Sequence, residues 1–487
     1  MLEINDLLGT RVFVELETLT PLVNRGVDGT NLGPEGVRAS TVRGQLRWWF
    51  RVLVGAHVSL EEMRALESLA FGSASRRGVV STEVRLLPGA GGTPAAPKRW
   101  EYHDWYEGMK EPKKLDQARE RVKYLFYPMR GPGMKPSREN RGGSEYEYWE
   151  PGLRFELAFR FCNKAFEANR GKLGENCALL KRLEFDDCEK LVGCAAWCLV
   201  FLGGVGARTR RGAGSLAVTR REGLEFPFAP EGEGKGENAP SASEGEGKGE
   251  NAIRAFCEYL KGTLERVWRY LHGLLDGNAP RGRGLRGEFS QLANGSFDLW
   301  LLPPKESGME ALDALGKFYV NELHGQRPKK YRWSGGFRHS DGVRDPDFFH
   351  SNLRKDKKTG KWIPFIRDYP PNGAPVKERR PLLGLPIDFS RKFSVEVLSR
   401  KKEVHRRASP LHFTVAKWDS KYWPLVLFFR SKIIPNEWSL NILRQLKQAS
   451  STTTITKRYL RPNGYPREVS EVEKRLEDYL KGAVRVF

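Results

Sequence analysis

Residues 231–252 read EGEGKGENAPSASEGEGKGENA, in which the nonapeptide EGEGKGENA occurs twice around PSAS. The stretch contains Gly, Glu, Lys, Asn, Ser, Pro and Ala but no branched aliphatic or aromatic residue. It cannot contribute to a core and reads as a flexible linker or loop. The duplication is local and does not mark a structural repeat. The chain must therefore bury its apolar surface in two portions of similar size. At 487 residues it is too long for one ordinary core. Its 39% hydrophobic and 11% aromatic content suffices for a core on each side. The expected organisation is a first domain over 1–225 with an irregular insertion at about 88–150, a linker over 226–252, and a second domain over 253–487.

Local patterns give the elements. TRVFVELETLTP alternates Val12, Val14 and Leu16 with polar neighbours, the period of a half-buried strand. STVRGQLRWWFRVLVG predicts a helix capped by Ser40 or Thr41 and terminated at Gly55. A second helix is expected over Ser59 to Ala70, then a strand at VVSTEVRLL, a strand at LRFELAFRF and a buried helix through DCEKLVGCAAWCLVFLGG. Strand–helix–strand followed by strand–helix–strand suggests an α+β ferredoxin-like domain. In the second half the pattern predicts a helix near Ile253 to Leu274, strands at LHFTVAKW and PLVLFFR, and helices near 436–448 and 469–481.

Charge narrows the function. Lys and Arg number 82 against 60 Asp and Glu, a formal net charge of +22. Ion-pair-rich surfaces raise total charge but keep the signs balanced, so this surplus points to a polyanion, above all nucleic acid. No apolar run approaches the ~20 residues that span a membrane, and Met1 is not followed by a signal-peptide core. The six cysteines read as reduced thiols, and a cytoplasmic location without membrane partners is expected.

Residues 203–215, GGVGARTRRGAGS, set Gly204, Gly206, Gly212 and Gly214 among Arg208, Arg210 and Arg211. No Gly-Lys-Ser/Thr follows, so this is not a P-loop. Backbone amides bare of side chains, interleaved with guanidiniums, are suited to phosphate oxygens. The run Gly204-Val205-Gly206-Ala207-Arg208-Thr209-Arg210-Arg211-Gly212-Ala213-Gly214 resembles the glycine-rich loop of the RAMP superfamily of CRISPR-associated proteins. TPLVNRG, ASTVRGQLRWWFRVLVG, LAFGS, LLGLPIDF and RRASPLHFTV are similar to blocks of the first RAMP subunit of Cmr (type III-B) effector complexes. The resemblance implies two ferredoxin-like (RRM-like) domains and a non-cutting place in a CRISPR RNA-guided ribonucleoprotein. There the chain would meet other Cmr subunits and single-stranded RNA, helping to capture the target near the 3′ end of the guide.

The helix at residues 40–55 carries its own signal. Arg43, Arg47 and Arg51 fall on one stripe, while Val42, Leu46, Trp49 and Leu53 form the adjacent apolar one. Trp48 stands apart from both, able to stack on a base or roof the core. On that capping Gly44 lies in the first turn, where unpaired amides and the helix dipole favour an anion. Asn24 and Arg25 in TPLVNRG complete the candidate RNA-binding set. Cys188, Cys194 and Cys198 lack further ligands at zinc spacing and read as core residues. His339, Asp341, Asp345, Asp347 and His350 offer hard and borderline ligands in twelve residues, but Asp beside Gly and Pro is also ordinary turn chemistry. His57 and His103 sit in no recognisable catalytic constellation. KKYRW, RKDKK, KERR and RKKEVHRR, with Tyr331 and Trp333, add a basic surface for RNA or an RNA-bearing neighbour. No catalytic residue, metal or cofactor is assigned. An endoribonuclease built on the Asp341–Asp347 cluster and a pure protein-interaction subunit remain the alternatives.

Overall fold

A computed structural model describes residues 10–23, 36–88, 147–175, 177–224, 226–228, 250–275, 290–319, 409–431, 439–448, 451–460 and 483–487, with several short strands and isolated positions between them. The first half contains β1 (Thr10–Thr18), α1 (Ala39–Val54), α2 (Leu60–Phe71), β2 (Val80–Leu86), β3 (Arg154–Phe161), α3 (Asn163–Gly174), α4 (Ala178–Arg182), α5 (Phe185–Phe201) and β4 (Leu216–Glu222). The strands form an antiparallel sheet in the order β2-β3-β1-β4. Alternation decides its faces. Val12, Val14 and Leu16 with Phe155, Leu157, Phe159 and Phe161 point into a core shared with α1 and α5. Val42, Leu46, Trp49 and Leu53 of α1 lie in that core, as their spacing requires.

Two boundaries shift slightly. Arg38, extended and without a side-chain hydrogen bond, is the N-cap of α1, and Gly55 is the C-cap. Ser59 caps α2 through a full capping box, with Glu62 returning to the Ser59 amide at 2.9 Å.

The second half begins with α6 (Glu250–Leu275), followed by β5 (Phe297–Leu301), α7 (Gly308–Lys317), β6 (Leu411–Trp418), β7 (Lys421–Phe429) and a short β8 (Val484–Arg485). The order β6-β7-β5-β8, antiparallel throughout, is the same permutation as in the first sheet. A buried carboxylate, Asp298 of β5, takes Arg430 Nη2 at 2.6 Å and Arg485 Nη2 at 2.5 Å, tying the C-terminal strand to the sheet.

Helix α6 touches both halves. On one side Tyr259 accepts from Trp197 Nε1 at 3.2 Å and Tyr270 donates to Asp187 Oδ1 at 2.9 Å. On the other, Phe256 stacks on Trp418 at 5.2 Å and Trp268 Nε1 donates to the Leu292 carbonyl at 2.8 Å. Residues 439–448, expected as helix, are instead a strand. Ser439–Gln448 pairs with Ser451–Leu460 and with Phe393–Leu398. Leucine spacing there fits a helix, but the β-branched run STTTITKRYL supplies a ladder along its whole length, and pairing overrides local propensity. The second predicted helix, 469–481, falls almost wholly outside the described residues.

Candidate nucleic-acid interface

The glycine–arginine run lies where the two halves meet, and most of it is committed inward. Its amides are not bare. Val205 N–H donates to the Gly214 carbonyl at 2.9 Å, Ala207 to Val23 at 2.6 Å, Arg211 to Arg208 at 2.7 Å and Gly214 to Pro21 at 2.9 Å. The glycines are required by the chain's own backbone. At Gly206, φ is +91° and a Cβ would sit 2.4 Å from the Val23 carbonyl oxygen; at Gly214, φ is +61° and that oxygen is Val205's, at 2.0 Å. Gly204 and Gly212 are likewise packed within the joint, the first against Gly214 and the second against Leu312. The amides of Gly212 and Gly214 are thus taken by internal carbonyls, and at all four glycines the chain's own packing leaves no room for a side chain.

Arg211 is corrected in the same way. It is only 4% exposed. Its guanidinium donates to the Leu411 carbonyl at 2.9 Å and lies 5.2 Å from the Tyr319 ring and 5.6 Å from that of Phe413. Around it the Arg210 carbonyl accepts from Phe413 N–H at 3.2 Å, Thr414 Oγ1 donates to the Gly203 carbonyl at 2.7 Å, and Ser215 Oγ accepts from Val415 N–H at 3.0 Å. The run joins the end of β1 to β6.

Arg208 and Arg210 stay nearer the surface. Arg208 sits at φ +63°, and burial together with the charge of Arg211 pushes its guanidinium down to about 10. Arg210 lies over the Trp48 indole at 5.1 Å, and His412 stacks on the same ring at 5.1 Å. Trp48 thus roofs the joint, the packing alternative allowed by its position. Burial, reinforced by Arg210 and Arg211, holds His412 well below the ordinary imidazole range. The sign follows directly: below the unfolded value the unfolded chain binds a proton that the folded one refuses, so stability falls as pH drops. Wild type should lose up to about 1.4 kcal/mol per pH unit below ~6.5 through this one proton, and His412→Phe should flatten that part of a denaturation series run from pH 7.5 to 5. An unaltered pH slope in the variant would rule His412 out as its source.

A second cluster forms on the outer face of α1. One face of the first three turns of the helix (Ala39, Ser40, Arg43, Gly44 and Arg47) fronts the hairpin Gly72–Arg77 across a groove of about 550 Å³, with Ser73, Ala74 and Thr82 completing the wall. The Arg43 guanidinium donates to the Phe71 carbonyl at the hairpin's root. Arg47 and Arg51 converge on Glu67 of α2, which accepts from Arg47 Nε at 2.5 Å and from Arg51 Nε and Nη2 at 2.6 Å each. Burial raises the Glu67 pKa, but the two guanidiniums outweigh it and hold the carboxylate below its usual range. One buried acid thus fixes two arginines, and Arg76 and Arg77 follow on the hairpin.

The sheet's outer face differs in kind. Glu156 is paired with Arg11 and Arg85, Glu15 with Arg154 and Arg220, and Glu83 with Arg160, while Phe13 is only 7% exposed. All five of these arginines are held in ion pairs, two acids taking two each.

Asn24 and Arg25 lie outside the described residues. So do the side chains of the His339–His350 cluster, of Tyr331 and Trp333, and of the basic runs beyond residue 320. Cys188, Cys194 and Cys198 line the buried side of α5. Among the described residues, no three His, Cys, Asp or Glu side chains are placed to share a metal ion, and no helix is long and apolar enough to cross a membrane. Sequence reasoning missed Glu67, Thr82 and His412. The only local hint was the basic turn GSASRR directly after α2.

Residues 15–217 match the family model described as the RAMP superfamily. Two proteins of Pyrococcus furiosus are similar to part of the chain. CRISPR system Cmr subunit Cmr1-1 is 26% identical over 186 residues, 38% of this chain and 41% of that protein. Cmr subunit Cmr1-2 is 26% identical over 212 residues, 42% of this chain and 92% of that protein. The chain thus spans less than half the length of the first and nearly all of the second. The crystal structure of Cmr1 from the same organism, in its apo form, superposes with a TM-score of 0.50 at 18% identity, covering 98% of this chain and 99% of that one, a similarity of fold.

Proposed function

We propose that this chain, whose residues 15–217 match the RAMP superfamily, is a non-catalytic RNA-binding subunit of a CRISPR RNA-guided type III-B (Cmr) ribonucleoprotein. Both sheets carry the strand order of a ferredoxin-like fold, which supports reading the chain as two such domains, the first over 1–225 and the second over 253–487. Its partners are single-stranded RNA near the 3′ end of the guide and the other Cmr subunits, in the cytoplasm. The similarity to Cmr1-1 and Cmr1-2 supports the assignment to the complex.

One observation carries the RNA reading. The α1 groove gathers Arg43 and Arg47 around the exposed Gly44, with Arg76 and Arg77 on the facing hairpin, and the nearest acid, Glu67, is shared by two cations. On the sheet face Arg11, Arg85, Arg154, Arg160 and Arg220 are all held in ion pairs. RNA therefore tracks over α1 and reaches Arg208 and Arg210 at the joint, while Arg51 braces Arg47 through Glu67.

Binding of a fluorescent single-stranded RNA over a salt series tests this. Arg43→Glu with Arg47→Glu should weaken binding by roughly one to two orders of magnitude and flatten the slope of log K against log salt by roughly 1.4, two contacts on a single strand. The RNA should remain full length in magnesium. Unchanged affinity and slope would overturn the assignment of this groove, and magnesium-dependent shortening would favour the endoribonuclease.

A further inference from the structure

Glycine is among the least favoured residues in a helix interior, and its presence there needs a reason. The glycines of the 203–214 run have one inside the molecule, because a side chain at Gly206 or Gly214 would strike a carbonyl of the chain itself. Gly44 has none. It is the sixth residue of α1, and a Cβ added there would meet no heavy atom within 4 Å. It is exposed, and no positive φ demands glycine. Helical Gly171, Gly262 and Gly273 share that open space, but only Gly44 lines the groove, between Arg43 and Arg47 and opposite the hairpin. Across the groove the Thr82 hydroxyl oxygen is buried without a hydrogen-bond partner.

Resting on the RNA reading of this groove, we propose that Gly44 is the point of closest approach for the ribose-phosphate backbone of a single-stranded RNA, its bareness set by that strand and not by the fold. Arg43 and Arg47 flank the backbone. Any side chain at position 44 then stands where the strand must lie.

The test compares Gly44→Ala and Gly44→Leu with Gly171→Ala, a matched change in α3, in the full-length chain. Both alanine variants should melt at or above the wild-type temperature, since alanine is the better helix former. Affinity for the same fluorescent RNA should fall roughly threefold in Gly44→Ala and at least about tenfold in Gly44→Leu, the loss of one or two charge-assisted contacts. Gly171→Ala should bind as wild type does. Wild-type affinity in Gly44→Leu overturns the proposal. If Arg43→Glu with Arg47→Glu still weakens binding in that case, only the close approach at Gly44 is lost. If neither set of variants alters affinity, the RNA reading of the groove falls with it.

Discussion

Arg211→Ala should lower the stability of the full chain by about 3 kcal/mol, although the side chain sits in a run that looks, on paper, like a ligand-binding loop. The residue is 4% exposed, and its guanidinium supplies a donor to the Leu411 carbonyl at 2.9 Å. Its removal leaves that carbonyl buried without this donor, opens a cavity beside Tyr319 and Phe413, and loosens the contact of the run with β6. Relief of the repulsion that depresses Arg208 returns part of the loss. Arg210→Ala, one residue away, removes the contact over Trp48 and relieves the positive charge beside His412, and should cost about 1 kcal/mol or less. Parallel denaturant melts separate the two, and equal losses would mean that Arg211 does not hold the halves together. RNA affinity should show the opposite ranking when each variant is compared in its folded state.

Gly214→Val should be more damaging still. The backbone there is left-handed at φ +61°, and a Cβ would lie 2.0 Å from the Val205 carbonyl oxygen, which is backbone and cannot step aside. Relief requires separating the two segments and breaking the Val205–Gly214 hydrogen bond of 2.9 Å. Strain and overpacking together predict a loss of roughly 4 kcal/mol or more. The protein should collect in the insoluble fraction or melt far below wild type. A soluble variant with wild-type melting would show that the run folds differently.

These two residues also show how far the sequence carried. Strand and helix periods placed β1, α1, α2, β2, β3, α5, β6 and β7 to within about three residues, because alternation and 3.6-residue spacing are local consequences of having one buried face. The stripe of Arg43, Arg47 and Arg51 was legible for the same reason. The strand at 439–448 was not, since its pairing depends on distant segments.

By itself the sequence determined the principal elements, the basic character and the arginine stripe on α1, all of which follow from composition and short-range periodicity. Only the tertiary structure decided which members of one glycine–arginine run face inward. Arg211 meets Leu411 across 200 positions and Arg47 meets Glu67 across 20, and no local pattern records what will cover a given face. A glycine spaced for a ligand and a glycine spaced for a neighbouring carbonyl are the same letter, and what separates them is the matter within 4 Å of the missing side chain.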